Sequence, residues 1–126
     1  MVKGPYVFQE DCDFERVSEG IKRRILAYGE ELMAVEVHFE KEAVGPLHSH
    51  PHTQLTYVLE GEFQFEVDGI KNIVKKGDTI YKLPNLLHGC RCIREGILLD
   101  LFTPYREDFV NEYINISIKL MIQLLI

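Results

Sequence analysis

Residues 45–61, "GPLHSHPHTQLTYVLEG", place three histidines and a glutamine at alternate positions: His48, His50, His52 and Gln54. Side chains two apart on a strand share one face, so His48 and His50 can reach a common ion. A straight strand cannot deliver all four. From His48 to Gln54 it would run about 20 Å, at roughly 3.3 Å per residue, whereas ligand bonds are only about 2 Å long. The chain has to bend, and Pro51 supplies the break. Beyond it Gln54 can return to the ion from the start of the next strand, while His52 sits in the turn, beside the site or facing solvent.

A further ligand has to come from elsewhere, and His38 and His88 are the remaining histidines. His38, in "MAVEVHFE", alternates out of phase with Val35, Val37 and Phe39, which reads as a surface position. His88 belongs to "GDTIYKLPNLLHG" (77–89), a strand leading into a proline turn, and opens another strand. In a sandwich that position can face back into the barrel.

The flanking sequence is a series of short runs rich in Val, Ile, Phe and Tyr. Ile21–Tyr28, Leu32–Phe39, Gln54–Leu59, Glu62–Val67, Ile70–Val74, Asp78–Lys82, His88–Ile93 and Ile97–Phe102 read as strands. "LEGEF" around Gly61, "VDGIK" around Asp68-Gly69 and "KKGDTI" at Lys75–Ile80 read as tight turns, the second an Asp-Gly hairpin. Such spacing predicts an all-β antiparallel sandwich or small barrel. The last segment, "REDFVNEYINISIKLMIQLLI", is different. Ile114, Ile116, Ile118 and Leu120 alternate with polar residues as a strand does, although the acidic start could equally open a helix. Thirteen residues from Ile114 are too few to span a bilayer, so the tail reads as a core-covering or dimer-forming element.

With 126 residues the chain is long enough for one domain with a proper core. Its net charge of −6 argues against nucleic acid as a partner, because phosphate contacts need a basic face. An anionic ligand therefore needs a local positive feature, an ion or an arginine. Cys12, Cys90 and Cys92 are odd in number and do not read as a disulfide framework; they suit small core positions and a reducing compartment. The first residues, "MVKGPYVFQEDCDF", lack the apolar run of an export signal, which predicts a cytoplasmic protein and leaves the "NIS" at Asn115 without meaning as a glycosylation sequon.

"GPLHSHPHTQLTYVLEG" and "GDTIYKLPNLLHG" resemble, in order and separation, the two motifs of the cupin superfamily. The resemblance implies a double-stranded β-helix (jelly-roll) barrel over about residues 20–104, with 105–126 as a C-terminal extension of a single cupin domain. It implies a divalent transition metal ion (Ni, Zn, Mn, Fe or Co) held by His48, His50, Gln54 and His88, with His52 outside the set, and turns at Gly61, Gly77 and Pro84. Most cupins carry glutamate where this chain has Gln54. An amide oxygen neutralises no charge, so the site keeps the ion's full charge, which favours Lewis-acid work on an anionic ligand.

"GILLDLFTPYREDF" (96–109) ends the barrel with an acid in a leucine strand. Asp100 is either a structural partner for an arginine or a cavity-facing acid/base, with Phe102 as an apolar wall and Arg106 nearby to hold a carboxylate. Taken with "RRILAYGEELM" and "PLHSHPHTQLTYVLEGEF", the segment "LLDLFTPYRED" is similar to the KdgF-type pectin-degradation cupins over residues 15–109. Those proteins linearise 4,5-unsaturated uronates released from pectin or alginate. The resemblance implies Asp100, Phe102 and Arg106 as catalytic residues, an anionic sugar as the partner and a homodimer. The competing expectations are a metal-dependent cupin dioxygenase and a non-catalytic sugar- or small-molecule-binding cupin.

Overall fold

The computed structural model describes residues 4–125, for 112–117 the backbone alone. A 3₁₀ turn at Gln9–Asp11 precedes eight strands among the described residues: β1 (Glu15–Ser18), β2 (Ile21–Tyr28), β3 (Met33–Phe39), β4 (Val44–His48), β5 (Thr53–Val67), β6 (Ile70–Lys75), β7 (Thr79–Lys82) and β8 (His88–Thr103). One helix, α1 (Glu107–Leu125), follows. The strand order is β1-β2-β3-β8-β5-β6, with β4 on β8 and β7 on β5, and every pairing is antiparallel. This is the all-β jelly-roll barrel that the strand spacing and the motifs predict.

Two expected boundaries are corrected. "LEGEF" is not a hairpin turn: the chain runs straight through Gly61 as one long strand, β5. Gln54, Thr56 and Val58 are buried before it and Phe63 and Phe65 after it, so the inward-facing parity flips at a bulge, where the β5–β8 register also shifts. Gly61 has φ +84°, and a Cβ there would meet the Glu95 carbonyl oxygen at 2.5 Å. On the facing strand a Cβ on Gly96 would meet the Glu60 carbonyl oxygen. The two glycines therefore let two strands bend against each other at contact distance. For the same reason His88–Ile93 and Ile97–Phe102 are two halves of the single strand β8.

The other turns are as expected. Asp68 and Gly69, with φ of 50° and 79°, join β5 to β6 as an Asp-Gly hairpin. Between β6 and β7 the Lys75 N–H donates to Asp78 Oδ2 at 2.8 Å, with Gly77 at φ +94°. Strands β1 and β4 escape the sequence pattern because one is charged ("ERVS") and the other contains Gly45 and Pro46.

The alternation at 114–120 does not produce a strand; this backbone is helical. Glu107 and Asp108 lie in the first turn, where acids complement the positive helix end, and the Phe109 and Val110 N–H groups both reach the Arg106 carbonyl. That first turn covers the core: Val110 packs with Met33, Val35 and Phe102. Residues 118–125 are exposed. No described helix is long and apolar enough to cross a membrane.

Two apolar clusters fill the barrel. One gathers Ile21, Phe39, Val58, Phe63, Phe65, Cys92 and Leu98, with the Phe39 and Phe63 rings edge-to-face at 5.2 Å. The other is the Met33–Val35–Phe102–Val110 group. Along β8, Leu98 belongs to the first cluster and Phe102 to the second, and the buried carboxyl of Asp100 stands between them. The outer face of β3 explains His38: it lies beside Glu36 at 2.6 Å, and Arg24 holds the same carboxylate, so this histidine serves the surface as its phase predicts.

Candidate metal centre

β4 ends at His48, the chain bends through Pro51 and His52, and β5 starts at Thr53, so the break that the spacing demands is present. Register supplies the rest. His48 pairs with His88 across β4 and β8, and Gln54 lies between Phe102 of β8 and Lys82 of β7. His48, His50 and His88 each turn one ring nitrogen to a common point, all three within 4.8 Å of one another. His48 is exposed at the rim, and His50 and His88 are buried.

The donor set fits a cation. His48 and His88 engage the carbonyls of Pro46 and Leu86 through Nδ1, at 2.8 and 2.9 Å, which fixes both rings and leaves Nε2 as the lone-pair nitrogen. Nε2 of His88 is buried with no hydrogen-bond partner among the described residues, an unfavourable arrangement for a site meant to stay empty. Gln54 Oε1 lies 2.9 Å from His50 Nε2. Two atoms each about 2 Å from one ion and at right angles would be about 3 Å apart. Burial, helped by the Arg106 guanidinium, pushes His50 down to about 4, and burial with the Lys82 ammonium does the same to His88. Both imidazoles are neutral at neutral pH and can act as ligands.

A cavity of about 250 Å³ opens on this cluster. Six of the seven residues expected from sequence line it: His48, Gln54, His88, Asp100, Phe102 and Arg106. His50 stands beside it, its ring 5.0 Å from His88 and 5.7 Å from Phe102. His52 is half-buried near His50, with burial and Arg106 lowering its pKa. Asp100 faces inward, and its near partner is the Thr56 hydroxyl, which donates to Oδ1 at 2.5 Å, rather than an arginine. Arg106 is held through Nε and Nη2 by Asp108, at 3.0 and 2.8 Å, with its guanidinium 5.1 Å from the Phe102 ring centre.

Sequence reasoning missed Thr56 and Lys82. Thr56 is fully buried and Lys82 is 2 % exposed, and Lys82 Nζ donates to Thr56 Oγ1 at 2.8 Å. Burial lowers the Lys82 ammonium against the opposing pull of Asp100. The signal was available: Thr56 is two residues beyond Gln54 and shares its face, and Lys82 ends a strand whose alternation turns it inward. The charged residues lining the cavity are Arg23, Lys82, Arg106 and Asp100, with Arg23 paired to Glu15 at 2.6 Å and Arg106 to Asp108. A larger groove of about 890 Å³ adjoins the cavity at Ser18, Ile21 and Phe39, with Glu15, Glu19, Glu40, Glu60 and Glu95 outnumbering Arg16 and Lys22 in its lining.

Residues 35–102 match the Cupin_2 family, a cupin domain. Across 107 residues the chain is 39% identical to the pectin degradation protein KdgF of Dickeya dadantii, covering 83% of this chain and 97% of that protein. The chain is a KdgF-type cupin. Its backbone superposes on an RmlC-like cupin from Shewanella frigidimarina with a TM-score of 0.83 and 42% identity, over 86% of this chain and 97% of that one. KdgF from Halomonas sp. follows with a TM-score of 0.81 and 35% identity, over 85% and 99% of the two chains. Oxalate decarboxylase from Bacillus subtilis, 20% identical with a TM-score of 0.73, shares the cupin fold alone over 82% of this chain and 30% of that one.

Proposed function

We propose that this cupin binds a divalent transition metal ion through His48, His50, Gln54 and His88 and opens the ring of 4,5-unsaturated uronates from pectin or alginate breakdown. The observation that carries this reading is that one cavity brings together the histidine cluster, the buried Lys82 and Asp100, and the Arg106 guanidinium. The kinship with the pectin degradation protein KdgF supports a substrate drawn from pectin breakdown.

The substrate is a cyclic enol ether with a carboxylate at C5 and a hemiacetal at C1. A bound ion supplies Lewis-acid stabilisation of negative charge on substrate oxygens. The chain's own groups do the rest. Asp100 takes the anomeric hydroxyl proton as the C1–O5 bond breaks, which leaves an aldehyde at C1 and an enolate at C5. Return of that proton from Asp100 to C4 turns the enolate into a ketone and restores the carboxylate. Thr56 anchors Oδ1 of Asp100, so Oδ2 is the oxygen left to exchange that proton. Arg106, with Asp108 on its Nε and Nη2, keeps Nη1 for the substrate carboxylate. Phe102 forms the apolar wall that keeps bulk water from the reacting atoms.

The test is direct. Metal-analysed protein is mixed with unsaturated uronate, and loss of the conjugated C=C ultraviolet absorbance is followed against the spontaneous rate. Acceleration is expected; a rate equal to the spontaneous one overturns the assignment. The homodimer is likewise a proposal, supported by the exposed Tyr57 and Tyr81 on the outer face of β5 and β7, and light scattering on a sizing column checks it.

A further inference from the structure

One buried hydroxyl touches three chemically different groups. Thr56 Oγ1 lies 2.5 Å from Asp100 Oδ1, 2.8 Å from Lys82 Nζ and 3.3 Å from Gln54 Nε2. All four side chains are 9 % exposed or less, so no solvent competes for these bonds. A threonine hydroxyl has one proton and two lone pairs. An ammonium has only donors, and an ionised carboxylate only accepts. The Thr56 proton therefore goes to Asp100, and one lone pair goes to Lys82. The remaining lone pair needs a donor, and the Gln54 amide can supply one only by presenting its NH₂ end. Its carbonyl oxygen is then turned the other way, to the point 2.9 Å from His50 Nε2.

We propose that Thr56 is a positioning residue: the commitment of its single proton to Asp100, backed by Lys82, sets the Gln54 amide so that Oε1 faces the histidine cluster. This rests on the reading of Gln54 as a metal ligand and of Asp100 as the acid/base. It also gives the glutamine a second reason to be there. A carboxylate at position 54 would be a second acceptor beside Thr56, competing with Asp100 for its only proton. The amide satisfies the hydroxyl and serves the ion at once, so the ligand and the acid/base are coupled through one oxygen atom.

A double-mutant cycle on Co(II) binding separates this role from simple packing. The affinity of metal-free protein for Co(II) is measured from its visible d–d bands in the wild type, T56V, Q54E and the T56V/Q54E pair. Loss of the hydroxyl frees the amide to present either end, so T56V should weaken Co(II) binding about five- to tenfold. T56S, which keeps the hydroxyl, should recover it to within twofold. In the Q54E background a carboxylate has no orientation to set, and adding T56V should change the affinity by less than twofold. Equal losses in both backgrounds, or no loss in T56V, would overturn the proposal. Because the readout is Co(II) affinity and not turnover, it stands apart from the uronate assay. A wild type that binds Co(II) but never accelerates ring opening removes the function and leaves the hub to be judged on the cycle alone.

Discussion

The barrel interior is built twice on the same strands, with opposite physics. On β5, Val58, Phe63 and Phe65 meet Cys92 and Leu98 of β8 in a hydrocarbon cluster; a few residues away, Gln54 and Thr56 of β5 meet Asp100 of β8 in a polar one. The apolar half is non-directional, since its contacts do not depend on how each methyl is turned. The polar half is directional and incomplete. Thr56 uses its full hydrogen-bonding capacity, while Nε2 of His88 is buried without a partner among the described residues. An unpartnered nitrogen at a directed site marks the place where a ligand belongs.

That contrast breaks most sharply on rate against stability. D100N should lower the ring-opening rate by about 10²–10⁴-fold, the usual contribution of one acid/base group, while its amide oxygen can still accept the Thr56 proton and so leave metal bound. Uronate turnover by D100N at the parental rate would remove Asp100 from the chemistry. In the apolar half, F63A should cost about 3–5 kcal/mol of unfolding free energy, because Phe63 is fully buried and leaves a cavity. Urea unfolding measures it, and a loss below 1 kcal/mol would mean that the cluster collapses around the gap.

Metal addition acts only on the polar half. A divalent ion at a hundred times its Kd should stabilise the protein by about 2.7 kcal/mol, seen as a rise in melting temperature that H88A abolishes; an equal rise in H88A would place the ion elsewhere. Acid acts there too. His50 and His88 have folded values of about 4, below the ordinary 6.5 of the unfolded chain, so the unfolded state takes up protons first as pH falls. Their contribution is complete above pH 6.5 and is lost as pH drops from 6.5 through 4. Metal-free protein should lose about 1–2 kcal/mol per histidine by pH 5, measured as a shift in urea midpoint, and a flat profile would refute the burial of these rings. The smallest effect lies outside both halves. L124Q, on a residue 87 % exposed, should change stability by no more than about 0.5 kcal/mol; a larger loss would show that the helix end is covered in solution.

The legibility of this chain follows the range of the interactions. Alternation and turn residues depend on neighbours in sequence, so the Asp68–Gly69 hairpin and most strands could be read directly. Gly61 could not, because a glycine between apolar runs looks the same whether the chain reverses or bulges. Only the facing Gly96, 35 positions away in sequence, makes it a bend. The C-terminal alternation misled for a similar reason: a strand needs an edge to pair with, and none of the described strands pairs with this segment.

In the site, the histidine spacing and Pro51 require a bent chain, and the family likeness implies four ligands and three further residues. The amino-acid order alone shows which donor groups share a local face, because donor type and face are properties of neighbouring residues. What it could not hold was the hub. Thr56 is two residues from Gln54, but Lys82 and Asp100 reach it from β7 and β8, 26 and 44 positions along the chain. Which end of an amide faces an ion depends on where one proton goes, and that proton is placed by strands that meet only when the barrel closes.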